Sequence, residues 1–344
     1  MTYELFNKSK TLLDFTFRGS RVFKGGGVSP LPLKCMELLS LRDAYGHALV
    51  ELGKSNPNVV VLDADLAFST KTHLFKEAFP DRFFDLGIAE ADMMSTAAGL
   101  ASCGKIVFAS TFAIFATGRA WEQIRLSINY SGLPVKIVAT HGGLATGADG
   151  YSHQALEDIA LMRVLPNMRV IVPCDALQVQ SIIKTIAFLE GSFYVRLPKI
   201  SLPKIYDHFE FQPGCSIVLR DGSDITIGAI GTMVAEALEA HNILTSKGIS
   251  ARIIDFVSVK PIDKTAIRKA CIETKAFITC EDHSVIGGLG DAVAKVILES
   301  MPIPHFRVGV QDTFSESGDH TELYNKYGLT ANHIANYAIK LLDS

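Results

Sequence analysis

From Leu41 onward, short runs of β-branched and aromatic residues alternate with longer stretches of helical spacing, and no other feature restricts the fold as much. The strand-like runs fall at 59–62, 83–86, 106–109, 135–138, 170–172 and 193–196. Helical segments lie between them, among them 91–102, closed by Gly104, and 154–165. Such alternation predicts a doubly wound, mostly parallel sheet, an α/β architecture. Ligands in such sheets gather at the carboxyl ends of the strands. Residues 200–216, with Pro203, Pro213 and Gly214, interrupt the rhythm and read as a linker. A second alternation follows, with strands at 225–229, 251–255, 277–280 and 306–309 and helices at 233–247 and 262–273. Two doubly wound α/β domains are therefore expected, at 39–204 and 205–344, and 344 residues are enough for each to bury a core.

Residues 1–38 differ from the rest. Lys8, Lys10, Arg18, Arg21, Lys24 and Lys34 make them basic, and Gly25-Gly26-Gly27 with Pro30 and Pro32 breaks any regular element. An arm is expected, either loosely attached or contacting a partner. The formal net charge of −3 offers no general attraction to nucleic acid or to an anionic membrane. Cys35, Cys103, Cys174, Cys215, Cys271 and Cys280 are scattered without a C-x-x-C pair, as in reduced, mostly buried cysteines of a cytoplasmic protein. No apolar run approaches the ~20 residues that span a bilayer, and the N-terminus lacks a signal-peptide stretch, so the cytoplasm is the expected compartment.

Four constellations could carry chemistry. In Asp85-Leu86-Gly87-Ile88-Ala89-Glu90, a strand passes through a glycine turn into a helix, placing Glu90 in the first helical turn. A glutamate there can complement the helix dipole, or it can be a partly buried carboxylate of shifted proton affinity. The segment 140–154 holds four glycines, His141, His153 and Asp149 between a strand and the next helix. Glycines let backbone approach a ligand closely, and His153 is expected at a helix N-terminus suited to anionic or hydroxylated ligands. Phe112 and Phe115 lie just past a strand, where aromatics serve either the core or a cofactor pocket. Asp63 and Asp65, also past a strand, suit a metal or an Asx-capped turn.

In this order these segments resemble the transketolase family, from about Leu41 to the C-terminus. The resemblance is carried by 84–99, 111–115, 141–154 followed by Pro166-Asn167-Met168, and 281–290, which is similar to the family's third domain. It implies thiamine diphosphate as cofactor. Glu90 would hydrogen-bond N1′ of the aminopyrimidine and sustain its proton relay. Phe112 and Phe115 would stack on that ring, with Asp65 and Ile88 nearby. Asp149 would read the C2 hydroxyl of the sugar, and His153, with Glu90 the second catalytic residue, would contact the reacting end of the donor. Arg42, Ser69, His141 and Arg196 would hold the terminal phosphate through charge-assisted hydrogen bonds; the plainer role for the two arginines is a surface ion pair.

Tyr151 stands where the family usually has proline. No Gly-Asp-Gly motif of the kind that holds the diphosphate through a metal is present: Asp149-Gly150 and Asp221-Gly222 are preceded by Ala148 and Arg220. The resemblance thus implies an N-terminal partner subunit that supplies the diphosphate-binding domain and Mg2+ (or Ca2+), in an α2β2 assembly containing two copies of this chain. The implied reaction moves a two-carbon unit from a ketose phosphate to an aldose phosphate, and only with the partner present. A deoxyxylulose-phosphate synthase-like protein, the β subunit of a 2-oxo-acid dehydrogenase and a non-catalytic regulatory paralogue are the alternatives. The spacing of His141, Asp149 and His153 fits ketose sugars better than pyruvate.

Overall fold

A computed structural model describes residues 36–343. All but the last three residues of the arm expected at 1–38 lie outside that range. Among the described residues, fourteen strands form three sheets. In chain order they are β1 Leu38–Ser40, β2 Val59–Asp63, β3 Phe83–Asp85, β4 Ile106–Phe112, β5 Val135–Thr140, β6 Arg169–Ile171 and β7 Phe193–Arg196. Then come β8 Ser201–Pro203, β9 Ile217–Arg220, β10 Ile225–Ala229, β11 Ala251–Asp255, β12 Ser258–Lys260, β13 Ala276–Ser284 and β14 His305–Val310.

The first large sheet has the order β12-β6-β7-β5-β4-β2-β3 and the second β14-β13-β10-β11-β9. Both are parallel except at one edge, where β12 and β9 run antiparallel to their neighbours. The central strands are buried on both faces, so they read as mostly apolar runs, interrupted in β5 by the buried Lys136. Within β2, Val59 and Val61 face one core and Val60 and Leu62 the other, as the two-residue period of a strand requires. Helices cover both faces. Leu41–Ser55 begins at Ser40, whose hydroxyl accepts from the Asp43 amide at 3.2 Å, and packs against Ala176–Ile186.

One topological fact positions the site. The chain leaves β2 to one side to build β3, then crosses back to build β4 on the other side. At that switch point the loops after β2 and β4 diverge and open a crevice. Asp65 and Ser69 line a pocket beyond β2, and Phe112 ends β4.

Three features depart from the sequence reading. The linker contains β8, which pairs antiparallel with β1, so residues 38–40 belong to the ordered fold. The strand β12 lies beyond the linker yet closes the edge of the first sheet against β6, with the Val172 amide donating to the Val257 carbonyl at 2.8 Å. Three residues carry no periodicity, and only tertiary placement decides which sheet they join. The third is the helix expected at 154–165, which begins at Asp158. Among the described cysteines, Cys174, Cys271 and Cys280 are buried, Cys215 is half-buried and Cys103 is exposed. Among the described residues, no helix is long and apolar enough to cross a membrane.

A buried carboxylate ties the linker to both domains. Asp255 Oδ2 accepts from Tyr206 Oη at 2.7 Å, Gln178 Nε2 at 2.6 Å and Cys174 Sγ at 3.4 Å, while Oδ1 is buried without a partner. Burial outweighs these donors and pushes the carboxyl up to about 6. The folded-state value lies above that of the unfolded chain, about 3.9. The group's contribution to stability is therefore full below the unfolded value and disappears as pH rises through 6. Between pH 5 and pH 7 the urea stability of the wild type is expected to fall by about 1 kcal/mol relative to Asp255→Asn. Parallel pH profiles for the two proteins would contradict this.

Candidate active site

The loop after β2 is built around Asp63. Its Oδ1 accepts from the Leu66 amide at 2.6 Å, and its Oδ2 from Thr70 Oγ1 at 2.7 Å and Thr72 Oγ1 at 2.9 Å. Asp65 is exposed at φ 61, its amide bonded to Asp85 Oδ1 at 3.0 Å. The Asp63 carboxylate and the Asp65 amide thus both serve the turn. Among the described residues, no group of three or more His, Cys, Asp or Glu side chains is placed to hold a metal ion. The same Asp85 Oδ1 also accepts from the Gly87 amide at 3.1 Å, so one carboxylate sets the loops carrying Asp65 and Ile88.

Glu90 opens the helix Glu90–Ser102 and is 3% exposed. Arg119 Nη1 donates to both of its oxygens, at 3.1 and 3.3 Å. The Arg119 guanidinium lies over the Phe115 ring at 4.1 Å from its centroid. Phe115 stacks on Phe112 at 5.7 Å, Phe112 stacks on His141 at 3.7 Å, and His153 meets both phenylalanines edge-on at 6.1 and 5.3 Å. One ladder of flat groups therefore joins Glu90 to both histidines. Arg119 was missed in the sequence, although it lies four residues after Phe115 on one helix face. Ile88 is exposed beside this cluster, as are Phe84 and Phe68 on neighbouring segments.

The second domain holds the loop after β5. Asp282 is buried, and its carboxylate accepts from the amides of Leu144 at 2.8 Å and Ala145 at 3.1 Å and from Tyr324 Oη at 2.8 Å. Gly143 makes this close approach possible: its φ is +81, and a Cβ there would sit 2.2 Å from Asp282 Oδ2. His141, at φ 61, is buried with Nδ1 2.8 Å from Thr140 Oγ1. Burial, reinforced by the charges of Arg42 and Lys199, pushes its pKa down to about 3, so His141 is neutral at physiological pH.

The anion-binding group expected from the sequence is only partly assembled. Arg42 Nη1 donates to the Ser69 carbonyl and Nη2 to the Lys199 carbonyl, each at 2.9 Å, while Nε is buried without a partner. Arg196 is a correction. It is 5% exposed, with Nε on Asp158 Oδ2 at 2.8 Å and Nη2 on the carbonyls of Ala155 at 2.8 Å and Asp282 at 2.9 Å. It is not a surface ion pair: Nε and Nη2 are committed inside the protein, which leaves Nη1 for a ligand. His153 is a second correction. The next helix starts at Asp158, so His153 stands in a turn and not at a helix N-terminus; Ser152 Oγ lies 3.0 Å from its Nδ1. Asp149 is exposed and paired with Lys199 Nζ at 2.7 Å, a cation the sequence reading did not single out.

A buried carboxylate at a helix start, flanked by a stacked aromatic pair and a histidine-bearing loop at a switch point, defines a site for a flat ring beside a polar ligand. Residues 37–204 match the family model described as transketolase, pyrimidine binding domain, and residues 214–334 the transketolase C-terminal domain. The chain belongs to the transketolase family. It is 50% identical over 300 residues to a putative transketolase C-terminal section of Methanocaldococcus jannaschii, covering 86% of this chain and 94% of that one. It is 40% identical over 304 residues to a 6-deoxy-6-sulfo-D-fructose transketolase subunit of Clostridium sp., covering 88% of this chain and 94% of that one. A solved structure described as a split gene transketolase, inactive beta4 tetramer, matches with a TM-score of 0.83 and 53% identity over 89% of this chain and 99% of that one.

Proposed function

We propose that this chain is the catalytic C-terminal subunit of a two-chain, thiamine-diphosphate-dependent transketolase that moves a glycolaldehyde unit from an anionic ketose to an aldose. The observation that carries the reading is the buried Glu90 carboxylate beside the Phe112–Phe115 stack. The slot suits an aminopyrimidine. Arg119 already lies over the Phe115 ring at 4.1 Å while donating N–H to Glu90 at 3.1 Å, the two contacts that a protonated ring would make there. The Arg119 side chain is half exposed and can yield the slot to a ring.

When bound, the cofactor supplies the electron sink for the two-carbon unit. The chain's own residues do the rest. Glu90 holds the proton at N1′ of the ring, in a site from which water is excluded by Phe112 and Phe115. His153, with Nδ1 engaged by Ser152, keeps Nε2 for a hydroxyl at the reacting end of the donor. Neutral His141 can hydrogen-bond sugar oxygens without adding charge. Asp149 can accept from a sugar hydroxyl once Lys199 releases it. Asp65 and Ile88 lie at the cofactor edge, and Arg42 with Ser69 lies toward the anionic end of the substrate.

The diphosphate and its metal fall to a partner subunit, because the chain lacks the Gly-Asp-Gly motif. Phe68, at 78% exposure, and Ile88, at 75%, sit by the crevice as apolar surface that a partner would cover. The similar split gene transketolase, an inactive β4 tetramer, supports this dependence. Titrating the chain with a partner carrying the Gly-Asp-Gly domain, with thiamine diphosphate and Mg2+ present, should bring up two-carbon transfer that saturates at one partner per chain. Full turnover by the isolated chain would defeat the two-chain reading. Turnover of pyruvate with none of xylulose 5-phosphate would favour the deoxyxylulose-phosphate synthase-like alternative.

A further inference from the structure

Arg196, one of the cations expected to meet the substrate's anionic end, has its charge offset by the buried Asp158, and two backbone carbonyls occupy Nη2. A further cation at that end would restore the positive charge that Asp158 offsets. Lys199 follows Arg196 by three residues, in the segment leaving β7. Its carbonyl receives Arg42 Nη2 at 2.9 Å, which fixes its backbone beside the second cation of the site. Its side chain is 35% exposed, and of its three N–H donors one is engaged, on Asp149 Oδ2 at 2.7 Å.

Asp149 itself is held at a fixed station. It ends the turn Leu144–Asp149 and is followed by Gly150 at φ +77, where a Cβ would come within 2.4 Å of Ser317 Oγ. The neighbouring Gln154 Nε2 bonds the carbonyls of Gly147 at 2.8 Å and Glu316 at 3.1 Å. The lysine stem, with four rotatable bonds, is the mobile partner of the pair. Buried His141 lies within electrostatic reach of both cations, each of which adds as a like charge to the lowering that its burial causes.

We propose that Lys199 is a specificity-determining residue that exchanges Asp149 for the terminal anionic group of the sugar, a phosphate or sulfonate. Arg42 and Lys199 then face the anion together, and the exchange frees Asp149 to accept from a sugar hydroxyl. Anion recognition and hydroxyl recognition become one coupled event: a neutral ketose leaves Lys199 on Asp149 and Asp149 unavailable. The proposal rests on the reading of the site as that of a transketolase.

The test has two arms. In the reconstituted complex, kcat/KM is measured for fructose 6-phosphate, 6-deoxy-6-sulfofructose and neutral erythrulose as donors, for wild type, Lys199→Met and Lys199→Arg. Lys199→Met is expected to lower the preference for the anionic donors over erythrulose by about 10–100-fold, chiefly through KM, and Lys199→Arg to restore part of it. The ratio of the two anionic donors in the wild type says which terminal group is preferred. An unchanged preference, with all donors weakened equally, overturns the proposal, since it would mean that Lys199 only props the Asp149 loop. The second arm needs no turnover. Inorganic phosphate should raise the melting temperature of the full chain and do so much less for Lys199→Met. An equal shift in both proteins also overturns the proposal. Absence of two-carbon transfer in the wild-type complex, with the phosphate arm positive, would instead fault the transketolase reading and leave the anion site standing.

Discussion

Glu90→Gln in the reconstituted complex is expected to lower two-carbon transfer by about 10²–10⁴-fold, the range for loss of a positioned proton-transfer group. Glutamine keeps the length of the side chain and can still hydrogen-bond, but its amide cannot hold and release the proton that the ring requires. The position tolerates the change structurally. Glu90 begins its helix, so its amide is not needed inside the ladder, and its one side-chain partner, Arg119, is half exposed and can be rehydrated. The melting temperature of the variant should therefore stay within a few degrees of the wild type while activity collapses. A complex that retained most of its activity would move this chain to the class of non-catalytic paralogues. A loss of folding in parallel with activity would leave Glu90 as a helix-start residue only.

The second large effect concerns stability. Asp282→Ala should cost about 3–5 kcal/mol in urea unfolding, because it strands donors that water cannot reach. The Leu144 and Ala145 amides and Tyr324 Oη all converge on this carboxylate from segments 138, 137 and 42 residues away. Burial raises the pKa of Asp282, and the Arg196 charge and the amide donors lower it, so the cost of removal lies in the orphaned donors more than in the lost charge. The same change should loosen the loop that carries His141, Asp149 and His153, so protease nicking within 140–153 should accelerate. Unchanged unfolding and unchanged nicking would show that the loop is held by something other than this carboxylate.

Much of this was legible before any coordinates, and the legible part is local. Parallel central strands announce themselves because burial on both faces demands an apolar run, as 59–62 shows in full and 135–138 shows apart from the buried Lys136. The approach to Glu90 is readable because strand, turn and helix start follow one another within six residues. The aromatic pair is readable for the same reason: Phe112 ends a strand and Phe115 lies in the first turn of the next helix. The helix after His153 was misjudged because the stretch 154–157 carries helix-compatible residues while its groups are used elsewhere. Gln154 reaches two carbonyls, and the Gly143 amide donates to the Ala155 carbonyl at 2.9 Å.

The sequence by itself determined the two alternating α/β halves, the carboxylate at the helix start and the glycine- and histidine-bearing loop, since each follows from spacing within a few residues. The tertiary structure alone decided which charges meet. Arg196 pairs with Asp158, Lys199 pairs with Asp149, and Asp282 clasps a loop from the other domain. The reason is physical: periodicity records which face of an element avoids water, whereas an ion pair forms between whichever side chains the packed sheets bring within a few ångströms, a distance no single stretch of sequence encodes.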